Sequence, residues 1–483
     1  MAGNKSSTAP AAPDISLFAE AASPDEKRAR VALDALAASW RDGYAALIID
    51  LARFMRSGRP HDVPGENVPL LADDGGAVTT GRSGEAFARA RRPDPSSFVR
   101  ARLVRFLEKR TGQRHGDDLR AWRRWIWSLD HDPHPDYGLF KAILYSRIDA
   151  RMAAFFPPGV RSDIRLDEVD WGGVTVNGIP PLDHPKHVPA HEAGWLKDKH
   201  VVFGIALGGE ARAYPKRVLA WHELARDRVG GVELAIVYCT LCGTVVPYGS
   251  EVGGVRRTFG TSGLLYRSNK LLFDEETMSL WSTLEGRPVI GPLVGSGLEL
   301  TAYPVVTTTW REWRDAHPGT TVLSRETGHE RDYSEGAAYR EYFATDETMF
   351  EVPRTDPRLL NKDEVLGLLL RPRGAGPEAP RRAVALFVEL LERHPVRRLS
   401  FAGHDLVVVT SPEGANRVYE ASGTTFVRRL ADATVEDAIG GRWTVTEDAL
   451  VNQATGEPRP RVPARRAFWF GWFAQFPETE LVK

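Results

Sequence analysis

Cys239 and Cys242 are the only two cysteines of the chain, and they stand three positions apart, in Tyr238-Cys239-Thr240-Leu241-Cys242-Gly243-Thr244. A loop that short cannot staple a fold of 483 residues, because the constraint a disulfide imposes grows with the length of chain it closes. The pair therefore points to chemistry. It follows the apolar run Leu234 to Tyr238 and precedes Thr244-Val245-Val246, which predicts a strand, a turn and a strand. A redox dithiol that opens a helix has its thiol acidity raised by the helix dipole, and no such helix is expected here. Cysteines on a turn closed by glycine have instead the form of a metal knuckle, with Gly243 supplying a positive φ. Zinc or copper needs more than two donors. His222, on an expected short helix before the cysteine strand, is the nearest third donor. Glu223 is expected to face elsewhere on that helix, and Asp227 is a candidate to orient the ring.

Downstream, Thr258 to Trp281 supplies further polar and aromatic groups. Gly260-Thr261-Ser262-Gly263 departs from the nucleophile elbow of hydrolases because its second glycine comes one place early, so Ser262 reads as a turn residue. Trp221, Glu223, Ser262, Tyr266, Asp274 and Trp281 make a candidate pocket beside the thiols. His184, His187 and His191 are spaced by three and four, but Pro185 and Pro189 break any helix that would align them. The first reading is a metal-binding protein, with an oxidoreductase role, holding one copper or zinc ion through Cys239, Cys242 and His222 and using no organic cofactor. Two alternatives stand beside it: a metal-free thiol–disulfide oxidoreductase working through Cys239 and Cys242, and a non-catalytic binding scaffold.

The elements that must position these groups change character along the chain. From Pro24 to about Leu129 apolar residues recur at helical spacing, interrupted by a Gly/Pro/Asp-rich loop from Gly58 to Arg82. Arg120, Trp122, Arg123, Arg124, Trp125 and Trp127 mix basic and aromatic residues, and read as an amphipathic helix rather than a nucleic-acid platform. From about Ile164, short β-branched runs are punctuated by glycine and proline. With 63 basic and 64 acidic residues there is no global field for nucleic acid or an anionic surface, so no nucleic-acid partner is expected. No apolar run approaches a membrane span, and no secretory signal is read at the N-terminus, giving a cytoplasmic expectation. The substrate is a small molecule whose identity the sequence does not give, and a homodimer is a candidate assembly.

Laying the C-terminal part over the middle suggests a duplication. Lys199 to Leu207 is echoed by Lys362 to Leu370, and Trp310 with Trp313 by Trp469 with Trp472. Gly204 to Trp310 spans 106 positions (310 − 204) and Gly367 to Trp469 spans 102 (469 − 367). The expected fold is α+β: an α-helical N-terminal region followed by a β-rich region built from two related repeats in pseudo-twofold arrangement. The expected boundaries are a disordered tail (1–23), a helical region (24–155), a first β-rich repeat with the cysteines (156–350) and a second without them (351–483). The second repeat offers only Val407 to Gly414 where the first has its cysteines, so groups confined to the first are the candidates for chemistry.

Asn177-Gly178-Ile179-Pro180-Pro181, Ala213-Tyr214-Pro215, Trp221-His222-Glu223, Tyr238 to Thr244, Ser262-Gly263-Leu264-Leu265-Tyr266 and Ser279-Leu280-Trp281-Ser282 occur in that order. This series resembles the hallmark blocks of a bacterial family, domain of unknown function 3179. The resemblance implies no reaction; it carries over only Trp221, His222, Cys239, Cys242, Gly243 and Trp281 as block residues. Thr240 stands where the family commonly has proline, which loosens the turn and leaves both thiols in place.

Overall fold

The computed structural model describes residues 11–55, 95–431 and 433–483, with side chains from residue 98 in the helix that begins at Pro95. The loop expected from Gly58 to Arg82 lies outside the described residues. The chain divides into two units, residues 1–173 with 290–292 and residues 174–289 with 293–483.

The first unit is helical, as the apolar spacing predicts. Its longer helices are Glu26–Ala38, Ala45–Arg53, Pro95–Thr111, Leu119–Ser128 and Tyr137–Tyr145. Asp25 caps the first of these by accepting from Lys27 and Arg28, which satisfies two of the amides that a helix start leaves open. Ser16–Ala21, within the span expected as a tail, is also a helix, with Phe18 and Ala21 buried. The Arg/Trp segment forms the amphipathic helix Leu119–Ser128: Trp122 is buried, and Arg123 lies over the Trp127 ring and bonds Asp170 at 2.7 Å. No helix among the described residues is long and apolar enough to cross a membrane.

The second unit is β-rich. One sheet places Val306–Thr309, Val201–Leu207, Glu210–Pro215 and Thr321–Leu323 side by side, with His187–Pro189 at its edge. Another places Arg465–Phe468, Glu364–Leu370, Arg382–Phe387 and Glu480–Val482 in the same order. Across these four strands, the last pairing is parallel and the others antiparallel in both sheets. Gly204 and Gly367 occupy the middle of their strands for one steric reason: a Cβ there would enter the ring of Trp313 or of Trp472. Trp313 donates to Thr320 at 2.9 Å, and Trp472 to Thr479 at 3.0 Å.

Further hairpins follow each of these openings. Leu224–Val229, Val232–Cys239 and Thr244–Gly249 pair in sequence, as do Val396–Phe401, His404–Thr410 and Asn416–Glu420. Then Asn269–Asp274 pairs with Leu280–Ser282, and Thr434–Asp437 with Arg442–Val445. Trp281 donates to Asp274 and Trp443 to Asp437, both at 2.8 Å, and each indole meets a phenylalanine edge-on, Phe259 or Phe426.

Candidate functional site

Cys239 ends its strand opposite Thr244, and Thr240 to Gly243 make the turn between the strands. Gly243 takes φ 63°, a conformation that costs glycine nothing and other residues strain. The strand, turn and strand expected of the sequence are thus formed. The turn brings the two Cα atoms to 5.6 Å, and Cys239 and Cys242 are joined as a disulfide. Neither sulfur is at the surface: Cys239 is 1% exposed and Cys242 is fully buried.

The cover is apolar and comes from two directions. Leu241, Leu265, Tyr342, Phe350, Val352, Phe468 and Phe470 cluster with the cysteines, and Tyr339, Phe343 and Met349 pack against that cluster. The segment from Tyr339 to Val352, with its single helical turn Arg340–Phe343, therefore lies over the disulfide. Tyr342 is tied down by donating to Leu241 O at 2.6 Å, and burial pushes its phenol well above the ordinary range, with Asp346 adding to the effect. From the other side, Phe468 N donates to Cys242 O at 2.8 Å. Gly471 approaches so closely that a Cβ there would come within 2.7 Å of the Cys242 Cβ.

The helix before the cysteine strand, Lys216–His222, ends on Glu223 in the left-handed conformation, φ 58°. That reversal decides which side chain meets the turn, because it breaks the helical progression on which a helical-wheel expectation rests. His222 is buried, with Nδ1 donating to Pro180 O at 2.9 Å and Nε2 2.6 Å from the Tyr333 hydroxyl. Burial lowers its pKa to about 4, against the Pro180 bond, which opposes the shift, and with help from the nearby His329 and Arg331. Among the described residues no three His, Cys, Asp or Glu side chains come together as a metal-holding group, so His222 is not gathered with the two sulfurs. Asp227 does not orient His222. It accepts from Arg212 at 2.7 Å and Tyr214 at 2.6 Å, and lies 3.2 Å from His187. Burial would raise that carboxyl, but His187, Tyr214 and Arg212 together bring it down to about 2.

Glu223, expected to face away, is the side chain that reaches the cysteine turn. Its carboxylate accepts from Thr240, between the cysteines, at 2.5 Å and is ion-paired to Lys270. Tyr339 of the covering segment lies 3.4 Å from it. Lys270 also approaches the carbonyls of Glu223 and Tyr238 at 3.5 and 3.4 Å, so the three donors of an ammonium meet three acceptors. Burial lowers the Lys270 pKa, and Glu223 opposes that shift. All four partners are buried or nearly so. Lys270 was missed in the sequence because all six residues of its strand, Asn269–Asp274, are buried, and no alternation marks it as unusual.

The remaining pocket candidates each have partners of their own. Ser262 is buried in a strand at an irregular register and donates to Leu271 O at 2.6 Å. Asp274 is occupied by Trp281, Arg257 and Thr277, Trp221 donates to Asp332 O at 2.8 Å, and the Tyr266 ring lies under the Arg267 guanidinium. His191 is exposed next to Glu192.

A family model described as protein of unknown function (DUF3179) matches residues 176–479. That is 304 positions (479 − 176 + 1) of 483, well over half, and the chain belongs to that family. No curated protein and no solved structure matches the chain.

Proposed function

We propose that this member of the DUF3179 family is a thiol–disulfide oxidoreductase whose centre is Cys239 and Cys242, with Glu223 and Lys270 as its buried proton-handling pair. The observation that carries the reading is a buried carboxylate bonded to Thr240, between two joined cysteines, with a buried ammonium ion-paired to that carboxylate. A four-residue disulfide loop contributes only about 2 kcal/mol of constraint. A buried ion pair is weak support for stability, since desolvation offsets much of its attraction. Stability alone is therefore a poor reason for either.

The internal comparison strengthens this. We infer that the β-rich region consists of two copies of one unit about a pseudo-twofold axis. Support comes from the matching sheet orders, the two glycine–tryptophan contacts and the two aspartate–tryptophan bonds. It also comes from reciprocity. The turn Thr240–Gly243 lies against Phe468 and Gly471 of the second copy. The equivalent turn of the second copy places Ser411 on Glu312 at 2.6 Å and Ala415 among Trp310 and Trp313 of the first. Tyr238 N donates to Glu223 O and Thr410 N to Pro395 O, so Pro395 stands where Glu223 does. Counting four back from the tryptophan-binding aspartates (274 − 4, 437 − 4) sets Ala433 at the place of Lys270. The second copy keeps the scaffold without cysteines, carboxylate or ammonium.

The chemistry balances with an external dithiol. One donor thiolate attacks one sulfur of the Cys239–Cys242 bond, forming a mixed disulfide and releasing the other sulfur as a thiolate. The donor's second thiol then displaces the first protein sulfur, so the donor leaves as a disulfide and the protein holds two thiols. Two electrons and two protons move together. Glu223 takes up or delivers a proton at the turn, and Lys270 balances its charge. Burial requires the segment from Tyr339 to Val352 to move aside for exchange. For the copper or zinc reading, the reduced turn would supply two thiolates, while His222 is bonded to Pro180 and Tyr333.

Thiol counting on protein purified without reductant is the direct test. None should react before, and two per chain after, treatment of the folded protein with a small dithiol, and an oxidised dithiol should reverse the change. Two thiols that resist oxidation would overturn the reading. One equivalent of zinc or copper retained by the reduced protein and lost in Cys239→Ser would replace it with the metal reading.

A further inference from the structure

Away from the cysteines, the second unit carries an open cavity of about 590 Å³, within the size range of sites for small molecules. Arg371, Arg373, Arg381 and Arg465 line it together with His404, and Glu299 is the one carboxylate in the lining. Glu299 is shared, pairing with Arg381 at 2.5 Å and also with Arg371. Glu420 lies behind Arg373 at 3.7 Å and 3.0 Å from His404. Four lining guanidinium groups against Glu299 and Glu420 leave two positive charges in excess, and the nearby Glu285 is already paired with Arg287.

Burial makes that excess matter. Arg465 is 6% exposed, bonds the Leu284 carbonyl and has no carboxylate within ion-pair distance among the described residues. The Arg381 side chain is largely buried, and donates to Glu285 O at 2.6 Å. Burial lowers its pKa, and Arg465 adds to that effect while Glu299 opposes it. Arg381 and Arg465 are like charges held with little water, which is unfavourable unless an anion answers them, and the guanidinium fork fits the paired oxygens of phosphate and carboxylate groups.

We propose that this cavity binds a small dianionic or polyanionic molecule whose charge lies on phosphate or carboxylate oxygens. The site is independent of the redox reading, since none of its lining residues belongs to the cluster around the cysteine turn.

Isothermal titration of the full chain at fixed ionic strength, with inorganic pyrophosphate in one arm and citrate in the other, tests this. One probe should bind at one per chain, and the tighter of the two identifies the oxyanion class. Arg371→Ala and Arg373→Ala should each weaken it by about tenfold or more, as expected for loss of a charge-assisted fork. Both side chains are partly exposed, so folding should survive, checked by unchanged melting. Arg428→Ala, at an exposed arginine elsewhere, should leave affinity unchanged. Absence of binding at millimolar probe, equal affinity in the cavity variants, or much tighter binding of a single-stranded oligonucleotide than of either probe would overturn the proposal.

Discussion

Glu223 and Lys270 bury opposite charges on neighbouring elements, one at a helix end and one in a strand. Once both are out of water, each depends on the other more than on any neighbour. Lys270→Met should therefore destabilise the protein by about 3–5 kcal/mol by stranding the carboxylate, and Glu223→Gln should act similarly by stranding the ammonium. The double variant should recover most of the loss, because an uncharged pair has no desolvation to offset. Urea unfolding of the four proteins closes the cycle, and strictly additive losses would mean that the pair does not interact. This is also where the sequence was least legible. Cys239, Cys242 and Gly243 could be placed from their spacing alone, whereas the choice between His222 and Glu223 turned on one backbone angle. No glycine or asparagine marks the reversal at Glu223; the bond from Tyr238 N to its carbonyl helps to hold it.

At the scale of elements, the two glycine–tryptophan contacts make a paired prediction. Gly204→Ala and Gly367→Ala each force a methyl group into a buried indole, an overpacking that typically costs about 1–3 kcal/mol. The two losses should be alike, since the added methyl would meet the ring of Trp313 in one case and of Trp472 in the other at almost equal distance. Gly194→Ala, where a Cβ meets nothing within 4 Å, should change stability by no more than about 0.5 kcal/mol. Melting and urea curves of the three variants decide it, and a large loss in only one sheet would argue against equivalent packing. These Gly and Trp positions were readable because Gly204 to Trp310 and Gly367 to Trp469 are spaced almost equally in the sequence. The aspartate–tryptophan bonds were not, because the spacing is seven residues in one place and six in the other (281 − 274, 443 − 437) and the intervening residues differ. An Asp six or seven places before a Trp was the available signal.

For the whole molecule, the change from helical spacing to short β-branched runs was legible because it is a property of many residues at once, and the run of helical elements from Ser16 gives way to the first strand, Val169–Trp171, close to where the character changes. What many residues do not report is solvation at a single buried group, and His222 gives that a measurable consequence. Its folded pKa is about 4 against an ordinary 6.5, so on lowering the pH the unfolded chain takes up a proton at this residue first. Between about pH 6.5 and 4 the unfolded state holds more protons here than the folded one, and stability must fall as pH falls through that window. The contribution is fully present above about pH 6.5, amounts to about 3 kcal/mol and levels off below about pH 4. Other groups titrate in the same range, so the informative quantity is the difference between the native chain and His222→Gln, whose amide can still donate toward Pro180. Unfolding free energies measured across that window should fall less steeply in the variant. Parallel curves would mean that the ring titrates equally in both states and that the neutral, Tyr333-bonded imidazole is not the form the fold requires.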